Sequence, residues 1–257
     1  MIDLHSHVLP RIDDGPETIT GSLALARAAA AAGVCTLVAT PHVSWRFPND
    51  AETIVASVEE LGARLAAEGV ALELLGGAEV ALTRLEEIDR SELPRLRLGN
   101  GEWLLLEPPF AAVAPALGEI VQDLQRQGNR VLLAHPERCQ AFHRDPALLA
   151  SLVRGGVLTS ITAGSLVGRF GGAPRRFALE LIEEGMAHNV ASDAHDLTGR
   201  PPGMQAELER AGLAQLAEWL TEEVPAAILD GGAIPAPPRV SRTSRGLARR
   251  LGLRLRR

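Results

Sequence analysis

Seven short, nearly continuous apolar runs punctuate this chain. They span Ile2–His7, Cys35–His42, Leu72–Val80, Trp103–Pro108, Arg130–His135, Val157–Ala163 and Asn189–His195. Half-exposed strands alternate apolar and polar residues, whereas strands covered on both faces do not, so these runs predict a buried parallel sheet. Between them the apolar residues recur at helical spacing. Ser22–Ala32 is almost all alanine and leucine and stops at Gly33. Ala51–Glu68 sets Ile54, Val58, Leu61 and Leu65 on one stripe. Ala114–Gln127, Pro146–Arg154, Pro174–Glu184 and Pro202–Leu220 behave similarly, several opening near proline and closing at glycine. Strands alternating with helices predict an α/β fold, a closed or nearly closed seven-stranded barrel, with an open doubly wound sheet as the alternative.

The pattern holds to about residue 230 and then changes. The stretch "DGGAIPAPPRVS" is rich in helix and strand breakers, and an arginine-rich segment follows it. One barrel over residues 1–230, then a linker and basic tail over 231–257, is the expected organisation. In the tail Leu247, Leu251 and Leu255 recur every fourth residue among arginines, a pattern suited either to a solvated tail or to a basic helix that touches an anionic membrane or an acidic partner. All 26 basic residues are arginine, and eight of them fall between Arg239 and Arg257, where there is no acid. The remaining 18 face 32 acidic residues, a balance of −14 for residues 1–238 that argues against a nucleic-acid surface. No apolar run is long enough to span a bilayer, and the start of the chain lacks the basic-then-apolar pattern of a signal peptide. A cytoplasmic protein is expected, with Cys35 and Cys139 as buried small apolar residues in place of a disulfide framework.

Candidate chemistry collects at the ends of the predicted strands, where the active site of an α/β barrel lies. Six of the seven deliver a histidine or a carboxylate there: His5 and His7, His42, Glu79, Glu107, His135, and Asp193 with His195. Val157–Ala163 is the exception and leads into Thr162 and Ser165. One buried histidine has a bland explanation, but so many ionisable groups cannot share one end of a barrel uncompensated. Bound cations compensate them. Residues i and i+2 of a strand point the same way, so His5 with His7, and Asp193 with His195, each aim two ligands in one direction. Asp14, in the loop after the first strand, reaches the same pocket. Asp13 competes for that role, and spacing does not separate the two. Gly15 beside them permits a tight turn. Asp3 is a candidate for orienting a histidine from behind.

Nine ligands, His5, His7, Asp14, His42, Glu79, Glu107, His135, Asp193 and His195, are too many for one ion and suit two or three. Imidazole and carboxylate donors are compatible with Mn²⁺, Fe²⁺ or Zn²⁺. Three divalent ions among four carboxylates leave a net positive site that would attract phosphate, and a metal lowers the pKa of bound water toward ~7. Metal-assisted hydrolysis of a phosphate ester, by attack of metal-bound hydroxide, is the chemistry implied. Arg138 in "AHPER" and Arg200 in "HDLTGRPP" follow ligands closely and would grip the phosphate. "TAGSLVGRFG", residues 162–171, has the glycines and hydroxyls of a phosphate-binding loop. A cysteine-based phosphatase is excluded, because it needs arginine six residues after the nucleophile, and Pro41 and Asp145 occupy those positions.

The segments "DLHSH", "DDG", "TPH", "GAE", "LLEPP", "AHPER" and "SDAH" resemble, in order, those of the PHP superfamily of polymerase and histidinol phosphatase domains. More narrowly, "MIDLHSH", "DDGP", "TAGSLVGRFG" and "SDAHDLTGRPP" resemble the bacterial manganese-dependent tyrosine-protein phosphatases of capsule and exopolysaccharide loci, the CpsB/CapC type. The resemblance covers Met1 to about Leu229. It implies a distorted seven-stranded barrel and three metal ions, most often Mn²⁺. His5, His7, Glu79 and Asp193 would hold the first. Glu79, as a bridge, with Glu107 and His135 would hold the second, and Asp14, His42 and His195 the third. It implies phosphate binding by Arg138 and Arg200, and as substrate the phosphorylated tyrosine-rich tail of a bacterial tyrosine autokinase. Thr162 departs from the pattern, which has asparagine there. A PHP phosphatase of a small metabolite such as histidinol phosphate is the alternative function.

Overall fold

The computed structural model describes residues 1–114 and 116–238. The basic tail of Arg239–Arg257, with Leu247, Leu251 and Leu255, lies outside the described residues. Among the described residues nine strands run β1 (Ile2–Ser6), β2 (Thr36–Ala39), β3 (His42–Val43), β4 (Glu73–Gly76), β5 (Glu79–Ala81), β6 (Trp103–Glu107), β7 (Arg130–Ala134), β8 (Leu158–Thr162) and β9 (Asn189–Ala191). Among the described residues nine α-helices accompany them: α1 (Ile19–Ala31), α2 (Ala51–Ala67), α3 (Leu117–Arg126), α4 (Gln140–Arg144), α5 (Pro146–Arg154), α6 (Ala163–Leu166), α7 (Gly172–Glu183), α8 (Gln205–Arg210) and α9 (Val224–Asp230). Every paired strand is parallel, in two sheets of order β1-β2-β4 and β3-β5-β6-β7-β8-β9. The sheets meet where β1 runs past β9: Asp193 N donates to His5 O at 2.9 Å and His7 N to Ala194 O at 2.8 Å.

The chain is α/β as expected, but two of the seven anticipated strands are each split. Cys35–His42 becomes β2 and β3, because Pro41 has no N–H to give the ladder. Leu72–Val80 becomes β4 and β5. The Gly76 carbonyl there turns aside to accept from Gly99 N at 2.7 Å, and Leu98 crosses so close that a Cβ on Gly77 would lie 3.1 Å from its side chain. The anticipated helix Pro202–Leu220 is interrupted too. At Gly212, φ 75°, the N–H groups of Gly212 and Leu213 turn back to the carbonyls of Glu209 and Leu208 and end α8. Elsewhere local chemistry agrees with the outcome. Thr18, Asp50 and Asp145 cap α1, α2 and α5 by accepting from Gly21 N, Thr53 N and Leu148 N.

Trp103, Leu104, Leu105 and Leu106 of β6, and Val131, Leu132, Leu133 and Ala134 of β7, are all fully buried. Successive residues point to opposite faces, so both faces of the sheet are covered, which is why these runs read as unbroken apolar stretches. No helix among the described residues is long and apolar enough to cross a membrane. Cys139 is buried, but Cys35 is exposed, against expectation; it immediately precedes β2, at the amino end of the sheet, where its thiol donates to Met1 O at 3.0 Å. Removing three carbons from the middle of β6 tests the core. Leu105→Ala is expected to cost about 2–5 kcal/mol, seen in urea as a lower midpoint with an unchanged slope.

Candidate metal centre

The parallel topology sends every strand's carboxyl end to the same side of the molecule, and the nine candidate ligands stand at or after the ends of β1, β2, β4, β6, β7 and β9. Their centre is Glu79, the first residue of β5, fully buried. Its Oε1 lies 2.7 Å from His135 Nε2. Its Oε2 lies 3.0 Å from His42 Nδ1 and 3.3 Å from the Nε2 atoms of both His5 and His7. His5 Nε2 and His7 Nε2 face each other at 3.1 Å, and Asp193 Oδ1 stands 3.5 Å from each. On the outer side Asp14 Oδ1 lies 3.2 Å from His195 Nε2 and 3.5 Å from His42 Nε2. Glu107 completes the group at 3.9 Å from His135 Nε2 and 4.0 Å from His42 Nδ1.

These separations carry chemical information. Donors about 2.1 Å from one cation stand roughly 3.0–3.4 Å from one another in octahedral or tetrahedral geometry. The contacts of His5, His7, Glu79 and Asp193 fall at or next to that range, and four overlapping groups of three or four such residues converge closely enough for an ion. His42 Nδ1, Glu79 Oε2 and His195 Nε2 are also buried without an aligned hydrogen-bond partner, although they sit beside one another's neighbours. Buried polar atoms left in that state are costly. Each of the three residues belongs to at least one of those converging groups, so the donor set fits divalent metal ions.

The supporting residues settle which of two aspartates faces the cup. Asp13 turns away from it. Its Oδ2 accepts from His7 Nδ1 at 2.7 Å and from His42 N at 3.1 Å, and its Oδ1 accepts from Gly15 N at 2.9 Å. With its Nδ1 proton given to Asp13, His7 presents the lone pair of Nε2 to the cup. Gly15 is needed for room and not for an unusual dihedral, since a Cβ there would lie 2.1 Å from the His7 carbonyl oxygen. Asp3 does not reach an imidazole. It is fully buried, and its Oδ1 accepts from His5 N and Ser192 N, tying β1 to the chain beyond β9. His135 and Asp193 have φ of 33° and 52°, left-handed values that cost non-glycine residues energy and concentrate at functional sites.

Electrostatics follow from crowding. Burial pushes Glu79 up, but the imidazoles of His5, His135 and His42 outweigh it and hold its carboxyl well below the usual range. Burial, and then the Glu79 charge, lift Glu107 to about 7. Burial would lower His7, yet the hydrogen bonds and charges of Asp13 and Glu79 raise it to about 10. The arginines close the open side. Arg138 Nη1 donates to Asp193 Oδ2 at 2.7 Å, while Arg200 reaches Asp14 Oδ2 at 3.3 Å and Asp193 Oδ2 at 3.6 Å. Arg200 returns to the cup through a tight turn in which Asp196 accepts from Thr198 N and Gly199 N. Thr162 and Ser165 are buried, and the Thr162 amide and the Ser165 hydroxyl both donate to Glu137, the residue before Arg138. The Cys139 thiol donates to Pro109 O, and burial raises its pKa, the reverse of an activated nucleophile.

Comparison with known proteins gives a consistent result. Residues 1–223 match the family model for capsular polysaccharide synthesis, CpsB/CapC. The chain is 34% identical over 242 residues to the tyrosine-protein phosphatase YwqE of Bacillus subtilis, covering 93% of this chain and 95% of YwqE. It is 35% identical over 204 residues to the putative tyrosine-protein phosphatase CapC of Staphylococcus aureus, covering 78% and 79%. Its fold superposes with TM-score 0.81 and 33% identity on a crystal structure from work on Bacillus subtilis YwqE and Streptococcus pneumoniae CpsB, described as unique metal-dependent tyrosine phosphatases, covering 94% of this chain and all of that one.

The Asp13–His7 contact yields a test in the cation-free protein. A histidine whose folded pKa is raised contributes stability that is fully present below its unfolded value of ~6.5 and is lost as pH rises toward the folded value. For His7 that window runs from ~6.5 to about 10. Chelator-treated wild type is expected to lose more stability between pH 6 and pH 10 than Asp13→Asn does, measured by urea denaturation at both pH values.

Proposed function

This chain belongs to the CpsB/CapC family of capsular polysaccharide synthesis, and we propose that it is a metal-dependent tyrosine-protein phosphatase. The observation that carries the reading is the convergence of four imidazoles, those of His5, His7, His42 and His135, on the buried carboxylate of Glu79. His5, His7, Glu79 and Asp193 would hold one cation. Glu79, as a bridge, with Glu107 and His135 would hold a second, and Asp14, His42 and His195 a third. Mn²⁺ is the proposed ion, with Fe²⁺ and Zn²⁺ suited to the same donors. Bound there, such ions polarise phosphoryl oxygens and supply a nucleophilic water at neutral pH.

The chain's own residues do the rest. Asp13 holds the proton on His7 Nδ1. The His195 Nδ1, 2.9 Å from the Asp193 carbonyl, donates to it and leaves Nε2 turned to Asp14. Arg138 and Arg200 approach from the open side, where their planar forks can take phosphoryl oxygens in pairs and stabilise charge as the ester bond breaks. The substrate proposed is the phosphorylated tyrosine-rich tail of a bacterial tyrosine autokinase that controls capsule or exopolysaccharide synthesis, and residues 1–230 are the unit that acts on it. Part of the same proposal is a distorted seven-stranded barrel. β2 with β3, and β4 with β5, count as one interrupted strand each, and the hydrogen bonds between the ends of β1 and β9 support closure.

Substrate preference, metal removal and single variants test this. The Mn²⁺-loaded protein is expected to hydrolyse a phosphotyrosine peptide with kcat/KM at least about tenfold above histidinol phosphate; the reverse order would move the substrate to a small metabolite. Excess chelator should abolish turnover and Mn²⁺ should restore it best. His135→Ala and Asp193→Ala should each lower kcat by at least about 100-fold with circular dichroism unchanged, and Arg200→Ala should lower it by about 100-fold, the usual cost of one transition-state donor. Undiminished turnover by His135→Ala in chelator would sink the metal mechanism.

A further inference from the structure

Arg138 is held by more than its ion pair. Its guanidinium carbon lies 4.4 Å from the ring centre of Phe170 and 5.3 Å from that of Phe110, while Nη1 bonds Asp193 Oδ2. Phe110 in turn stacks on His135, with ring centres 5.5 Å apart and planes 13° apart. A guanidinium carries its N–H donors in its plane, so an aromatic ring against its face restrains the group and leaves the donors free. That is the arrangement required of an arginine that must meet an oxyanion at a fixed place.

The segment 162–171 explains how Phe170 arrives there. Glu137, the residue before Arg138, is fully buried and accepts from Ser165 Oγ at 2.7 Å and Thr162 N at 3.1 Å, which fixes α6 to the turn that carries Arg138. The helix then stops in one step. Gly168, φ 85°, donates to Ser165 O, and Arg169 N donates to Gly164 O at 2.9 Å. This reversal folds Phe170 back over Gly164, where even a Cβ would come within 3.2 Å of the ring. The circuit is closed: Glu137 anchors α6, α6 and its glycine cap place Phe170, and Phe170 lies against Arg138.

We propose that Phe170, together with Phe110, is a positioning residue for Arg138, holding its guanidinium at the angle from which it binds the phosphoryl group. The inference rests on the reading of Arg138 as a phosphate-binding residue. It accounts for a glycine-rich segment whose Ser165 hydroxyl and Thr162 amide face inward. It also distinguishes Phe170 from an ordinary rim residue, because its effect must pass through Arg138.

A double-mutant cycle in the full-length, Mn²⁺-loaded protein tests it. Phe170→Ala and the apolar but non-aromatic Phe170→Leu are each expected to lower kcat/KM for a phosphotyrosine peptide about tenfold, as misplacement of a contacting group does. They should also weaken binding of inorganic phosphate, measured by calorimetry, with Mn²⁺ content unchanged. Phe170→Trp should restore both to within about threefold. In an Arg138→Ala background, Phe170→Ala should change either quantity by less than about twofold, since the two act as one unit. Equal losses in both backgrounds, or wild-type behaviour of Phe170→Leu, would overturn the inference. A wild type inactive on every phosphomonoester would overturn the phosphatase reading instead, while the phosphate affinities would still report on the clamp.

Discussion

One carboxylate organises this molecule. Glu79 is removed from water, and the rings of His5, His7, His42 and His135 close on its two oxygens. Its charge is tolerable only because of those neighbours, and their crowding is tolerable only because of it. His5 Nε2 and His7 Nε2 stand 3.1 Å apart. They are a natural pair of vertices around a shared cation. The strand ends, the capping turns and the rim all serve to keep these groups at such distances.

The backbone achieves this without any single loop doing the work. Parallel strands deliver their last residues to one side, and buried apolar runs such as β6 and β7 make a stiff floor beneath them. Two aspartates then fix what the strands leave loose. Asp3 bonds the backbone of both β1 and the segment after β9, so the pair His5–His7 and the pair Asp193–His195 share one anchor. Asp13 fixes the His7 ring and the His42 amide together. Neither faces the cup, and each lies next in sequence to, or two away from, a residue that does.

Much of this was legible in the chain itself. The apolar runs gave the strands, and the polar residues ending them gave the candidate ligands, because parallel topology converts a pattern in sequence into a cluster in space. What escaped notice has physical causes. The breaks after Ala39 and Gly76 depend on one missing amide proton and one crossing side chain, and only the first has a trace in the sequence, as Pro41. Asp13 and Asp14 are adjacent and chemically alike, and only the fold of their loop separates them. The left-handed backbones at His135 and Asp193 carry no glycine to announce them. The aromatic contacts of Arg138 come from the loops after β6 and β8, far away in sequence; the signal available was the concentration of glycine around Phe170, at Gly164, Gly168, Gly171 and Gly172.

Asp193 presents one oxygen to the imidazoles and the other to Arg138, with Arg200 nearby. Both guanidiniums therefore already have anionic company, Arg200 through Asp14 as well, before any guest arrives. A visitor must compete with those resident carboxylates, and a dianion competes better than a monoanion. Discrimination between a terminal phosphoryl group and the singly charged linkage of a diester is thus built into the doorway, ahead of any bond being broken.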